Sequence, residues 1–226
     1  MKRTRIVRDD SPESPREWDN VGRMLCWHRR YNLGDKHNYD AADWREELAC
    51  EHDSDLADKL DYARNDLWNV LYECRRFDGG ISEQGCSEYA HRVVDTLCER
   101  MIERAFDNGY IAMPLYLYDH SGISMSTGRF SCPWDSGCVG VIVCDRETIR
   151  KEFDGNEEAA YLALDSEVKA YDEYLGGEVY GFIAEECVDG EWEHIDSCFG
   201  FFGHDYRKNG MLDAIPDGYA ECVIWE

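Results

Sequence analysis

Between Pro114 and Cys144 the chain reads PLYLYDHSGISMSTGRFSCPWDSGCVGVIVC, and most of its reactive side chains crowd into this stretch. Asp119, His120 and Ser121 open a long loop; Cys132, Trp134, Asp135 and Ser136 close it, just before Gly137. His120 as a base could deprotonate Cys132 or Ser136 across the loop, with Asp135 beside them, which is the chemistry of a hydrolase or a transferase. Asp119, His120 and Ser121 cannot form a triad among themselves, because successive residues of a strand point to opposite faces. A plainer reading competes with catalysis. Asp119 and Ser121 can satisfy loop backbone groups by local hydrogen bonds, and Asp135-Ser136-Gly137 is ordinary turn chemistry.

Other constellations carry less. His28-Arg29-Arg30-Tyr31 could grip a phosphate or a carboxylate, although an internal ion pair with nearby Asp35 is the better account. Gly176-Gly177 and Gly200-x-x-Gly203 lack the spacing and the strand-to-helix setting of a phosphate-binding loop. Eleven cysteines are scattered along the chain. There is no CxxC and no HExxH, and Cys132, Cys138 and Cys144 recur at a spacing foreign to zinc ligands. The reading is therefore of reduced, mostly buried thiols, with no metal and no cofactor.

Net charge is the dominant bulk property: −24, from 48 acids against 24 bases. Residues 1–36 hold nine Lys and Arg against six acids, whereas residues 152–196 hold fifteen acids and one base, Lys169. Such a field repels nucleic acid and membrane surfaces and attracts basic partners. Lysine is scarce, six against eighteen arginines, so solubility or salt adaptation explains the acidity as well. No apolar run is long enough to span a bilayer. MKRTRIVRDDSPESPREW has basic residues without the apolar core of a secretory signal. The expectation is a cytoplasmic protein of a bacterial or archaeal host.

The elements that must position these groups follow from periodicity. Thr4–Val7 reads as a short strand. Val21–Trp27 alternates with both faces apolar and reads as a central strand ended by a turn at Asn32–Asp35. Asp40 or Asp43 can cap a helix near Ala41. Asp53, Ser54 or Asp55 can cap a longer one carrying Leu56, Leu60, Ala63, Leu67, Val70 and Leu71, stopped by Asp78-Gly79-Gly80. A third helix after Ser82 has Tyr89, Val93, Val94, Leu97, Met101 and Ile102 as its expected buried stripe and ends at Asn108-Gly109. Strands at Leu115–Tyr118 and Val139–Cys144 flank the loop, which is expected to pack on the sheet through Phe130 and Trp134. Asp145 caps a helix over Arg146–Phe153, and Glu157–Leu175 is the next, broken by Gly176-Gly177. Val179–Val188 and Glu191–Phe199, joined by Asp189-Gly190, form a hairpin. A short helix around His204–Leu212 and a last strand at Ala220–Trp225 complete the chain.

Two stretches, WDNVGRMLCWHRRYNLGD and PLYLYDHSGISMSTGRFSCPWDSGCVGVIV, resemble a functionally uncharacterised family of proteins encoded by phages, prophages and plasmids. The resemblance continues through EVKAYDEYLGGEVYGFI and IDSCFGFFG and covers most of the chain beyond residue 16. It implies a mobile-element accessory protein and supplies no catalytic residue.

Strands and helices come in blocks rather than alternating, so the expected class is α+β: a mostly antiparallel sheet of five to seven strands with helices packed on it. Residues 1–20 read as an N-terminal extension and 21–226 as a single α+β domain, with a helical subregion over 41–107. Three functions fit. The first is a binding protein, an acidic inhibitor of a host defence nuclease of the anti-CRISPR or anti-restriction kind. It would mimic nucleic acid on a CRISPR effector or restriction enzyme without binding nucleic acid itself. Its candidate face holds Asp165, Glu167, Asp172, Glu173 and Glu178, with Glu46, Glu47, Asp53, Asp55 and Asp58. The second is an enzyme using His120, Cys132, Asp135 and Ser136. The third is a virion or assembly component. The balance of residues favours binding over catalysis.

Overall fold

The computed structural model describes residues 1–77 and 81–226. The fold is α+β, and its strands divide between two four-stranded sheets rather than joining one. The chain forms two compact units: residues 1–35, 113–142 and 157–226 make the first, and residues 36–112 and 143–156 the second.

In the first unit, β1 (Lys2–Arg8) pairs antiparallel with β6 (Val179–Val188), which pairs antiparallel with β7 (Glu191–Phe202). β8 (Val223–Trp225) runs parallel to β1 on its other side, so the order is β7-β6-β1-β8. The hairpin turn lies where the sequence places it. Asp189 and Gly190 both have positive φ, 51° and 89°, as a tight right-twisting turn requires. One face buries Ile6, Tyr180, Phe182 and Ala184 against Met211, Ile215 and Tyr219. Thr4 is fully buried there, and its hydroxyl donates to the Tyr219 carbonyl at 2.9 Å. The helix expected around His204–Leu212 is shorter and later: α7 spans Met211–Ala214, preceded by turns.

The second sheet has the order β2-β5-β3-β4, with β2 (Arg23–Cys26), β3 (Tyr110–Asp119), β4 (Ile123–Ser126) and β5 (Ser136–Asp145). β2 was expected at the centre of a sheet and lies at an edge. The reason is a loop that covers the edge in place of a strand. The Met24 N–H donates to the Asp35 carboxylate at 2.7 Å, and the Asp35 N–H donates to the Met24 carbonyl at 2.9 Å. The apolar face is buried and the edge is capped, so the residues look central without being so. Gly34 makes the approach possible: its φ is +69°, and a Cβ would lie 2.5 Å from the Met24 carbonyl oxygen. On the other flank of β2, a Cβ on Gly140 would stand 2.2 Å from the Leu25 carbonyl oxygen. The expected loop after β3 contains β4, paired antiparallel with it. α6 (Glu157–Leu175) packs on β4 and buries Ala160, Leu164, Val168 and Tyr171, while Leu162 is exposed.

The second unit is helical. α1 (Trp44–His52) precedes α2 (Leu56–Tyr62), a π turn over Ala63–Leu67, and α3 (Trp68–Phe77). The expected long helix is thus interrupted by one wide turn, which carries Ala63 inward and lets Arg64 reach Glu46. Its expected stop at Asp78-Gly79-Gly80 lies outside the described residues. α4 (Glu83–Gly109) starts at Ser82, whose hydroxyl accepts from the Gly85 N–H at 3.1 Å. Its buried stripe is Cys86, Ala90, Val94, Cys98, Ala105 and Phe106, sharing only Val94 with the stripe expected from the large apolar residues. Small side chains let α1, α2 and α3 come close on that side. α5 (Arg146–Glu152) is capped by Asp145, which accepts from the Thr148 N–H at 2.7 Å, as its sequence predicts.

Candidate functional site

The Asp119–Ser136 segment starts where β3 ends and closes where β5 begins. The Asp119 N–H donates to the Asp135 carbonyl at 2.8 Å, which draws the two ends together. Ser121 has φ 55°, and the His120 N–H donates to the Gly122 carbonyl at 3.0 Å, so the β3–β4 turn is tight. The fold does bring three expected residues together. The Cys132 thiol donates to Asp135 Oδ2 at 3.4 Å, and His120 Nδ1 lies 3.5 Å from the same oxygen. The order is thiol, carboxylate, imidazole. An activated nucleophile needs the imidazole between thiol and carboxylate. Ser136 is occupied otherwise, its hydroxyl donating to the Cys132 carbonyl at 2.5 Å. His120 is largely exposed, with 64% of its side-chain surface open to solvent.

Aromatic packing holds one part of the segment and not another. Tyr118 packs on Phe130, with ring centroids 5.6 Å apart. Trp134, expected to help pack the loop on the sheet, is 91% exposed. Arg30 pairs with Asp119 and not with Asp35, and the Tyr31 hydroxyl reaches the same carboxylate. His28 stacks on Tyr31. The basic cluster is thus tied to the start of the loop.

Asp35 belongs to Arg16, a residue whose role the sequence conceals. Arg16 donates through Nε and Nη2 to both Asp35 oxygens at 2.9 and 2.7 Å, through Nη1 to Glu167 at 3.0 Å, and through Nη2 to the Gly22 carbonyl at 2.6 Å. Burial lowers the proton affinity of the guanidinium, but Asp35 and Glu167 outweigh it, and its pKa is raised.

The acidic residues expected to form a binding face have varied fates. Glu167 also accepts from the Val21 N–H at 2.8 Å. Asp165 accepts from the Thr127 hydroxyl and from Lys169, and these partners hold its carboxyl below the usual range. Asp172 caps the Met125 N–H at 2.6 Å. Glu173 has its carboxyl pKa pushed up by burial, with Glu178 and Asp172 adding to it. Glu178 is exposed. In the second unit Glu46 pairs with Arg64 through both oxygens, Asp53 pairs with Lys59, and Glu47, Asp55 and Asp58 are exposed. Many of the acids chosen from sequence therefore have structural partners.

The acids the sequence reading passed over are on β7. Residues 191–200 are exposed throughout, and Glu191, Glu193 and Asp196 make no salt bridge among the described residues. Their signal was the alternation in EWEHID, where neither face is continuously apolar. In the second unit Tyr62, Ala63, Leu67, Leu97 and Met101, with Asp58 and Lys59, line an open, mostly apolar groove of about 360 Å³. Among the described residues no group of three or more His, Cys, Asp or Glu could hold a metal ion, and no helix is long and apolar enough to cross a membrane. No protein-family model, no curated protein and no solved structure matches this chain.

Proposed function

We propose that this protein is an acidic accessory protein of a mobile element that binds a basic host protein, and that its target is a defence nuclease, a CRISPR effector or restriction enzyme. The observation that carries the reading is a net charge of −24 combined with acids on β7 that have no Lys or Arg partner among the described residues. Carboxylates without an internal cation remain available to the Lys and Arg of a nucleic-acid channel. The engaged acids of α6 (Asp165, Glu167, Asp172) support this surface less than its exposed ones do. Nucleic-acid mimicry is the finer form of the proposal: the partner's DNA or RNA would compete for the same groove. The test is a panel of host nucleases titrated with the purified protein. Stoichiometric inhibition, relieved by excess nucleic acid and by salt, supports the proposal; the absence of binding across the panel refutes it.

A second reading has its own observation, the convergence of His120 and Cys132 on one carboxylate oxygen of Asp135. If this loop is catalytic, a hydrolase or transferase activity found with model esters or acyl donors is abolished by His120→Ala with the fold intact. An activity unchanged by that substitution removes the loop from consideration.

A further inference from the structure

β7 is the outer strand of its sheet, with β6 on one side and, among the described residues, no strand on the other. In an antiparallel pair alternate residues turn their N–H and C=O groups away from the partner. Outside the ladder, the bonds of the β7 backbone among the described residues are local: the Ser197 N–H donates to the Asp196 carboxylate, and the Cys198 thiol to the Phe199 carbonyl. The strand therefore presents a row of donors and acceptors to solvent. It also presents apolar side chains. Trp192, Ile195 and Phe199 are 37, 45 and 46% exposed, on a strand that buries almost nothing.

Charge selects the occupant. From Asp189 to Phe202 there are four acids and no Lys or Arg. Arg3, which lies over the Trp192 ring, is itself paired with Glu185 at 2.7 Å. A second copy is a poor fit: with two β7 strands paired antiparallel about His194–Ile195, Glu193 falls opposite Asp196 on both sides, and directly opposed like charges destabilise. The same acids that repel another copy attract Lys and Arg.

We propose that the outer edge of β7 takes up an extended basic segment of a partner protein as an added strand. Main-chain hydrogen bonds supply the pairing, and alternate Lys or Arg side chains meet Glu191, Glu193 and Asp196. The register shift on either side of Ile195 inserts an extra residue and bends the strand, so the segment follows a bent edge and Ile195 stands beside it. This inference rests on the binding reading above and adds its place and mode.

The experiment uses the full chain and a synthetic peptide of about eight residues alternating Lys and Val, alongside the same peptide N-methylated at every second amide. Binding is read by fluorescence anisotropy and the site by amide exchange. The expected result is binding of the first peptide with slowed exchange within 191–198, at least tenfold weaker binding of the N-methylated form, and at least tenfold weaker binding to a Glu191→Lys, Glu193→Lys, Asp196→Lys variant whose circular dichroism is unchanged. Equal binding of the two peptides means charge attraction without strand addition and overturns the proposal. So does protection elsewhere than β7, or dimerisation of the chain through β7. Failure to inhibit any host nuclease would sink the functional reading alone, since the peptide arm does not depend on the partner's identity.

Discussion

At the scale of single residues, Arg16 is the most consequential side chain in the first unit. Its side chain is 6% exposed, and it satisfies two carboxylates whose remaining lone pairs hold the Val21 and Met24 N–H groups. Replacing Arg16 with Ala leaves Asp35 and Glu167 facing each other without a cation, at a cost of roughly 3–5 kcal/mol; the shift of the urea midpoint measures it. Glu173 behaves oppositely to most acids here. Burial and nearby Glu178 and Asp172 raise its carboxyl pKa, so the folded state holds this proton more tightly than the unfolded chain. The cost to stability is absent below the unfolded value of 4.5 and develops as pH rises through the raised folded value. Glu173→Gln should thus stabilise the protein at neutral pH and lose that advantage in acid, as paired thermal melts at the two pH values would reveal. Glu46 shows the usual sign. Arg64 lowers its pKa, so its contribution is present above 4.5 and is lost as pH falls through the lowered value.

At the scale of elements, α4 and β2 show how packing departs from hydrophobic pattern. On α4 the fully buried positions include Cys86 and Ala90, while Leu97 is 37% exposed. Ala90→Leu should therefore destabilise by about 1–3 kcal/mol through overpacking. Leu97→Ala should change stability by no more than about 0.5–1 kcal/mol. Guanidinium denaturation of both variants tests the assignment, and the reverse ranking would restore the stripe of large residues as the buried one. For β2 the critical contact is backbone to backbone. Gly140→Ala places a Cβ against the Leu25 carbonyl, which cannot rotate away, so the β2–β5 pairing must open. Loss of amide protection at Trp27, whose N–H donates to the Val139 carbonyl at 2.7 Å, is the expected signature.

At the scale of the whole molecule, charge and thiol state are the testable properties. Association with a basic partner should weaken steeply between about 50 and 500 mM salt, because the field of exposed acids is screened over about 8–10 Å at physiological ionic strength. A flat salt dependence would reduce the acidity to a solubility device. All eleven cysteines are free thiols, so counting under denaturation without reductant should find nearly all of them. In the native state Cys26 should be among the slowest to react, since burial, with Asp35 adding to it, pushes its thiol up to about 12.

What the sequence determined by itself was local. The caps at Ser82 and Asp145, the span Glu157–Leu175 and the Asp189-Gly190 hairpin depend on neighbours within a few residues, and each lies where its residue types require. The α+β class followed from the blockwise order of those elements. The tertiary structure alone decided whatever depends on distant partners. Asp35 caps the edge of β2, so an apolar strand is an edge strand. Small residues such as Cys86 and Ala90 face the helices around α4, and Leu97 faces outward. Glu167 binds Arg16 across about 150 positions of chain, so an acid that reads as surface charge is part of the interior. The opposite holds for β7. Its acids and aromatics alternate, residues 191–200 are exposed on both faces, and its place beside β6 is set by long-range pairing that no local pattern records.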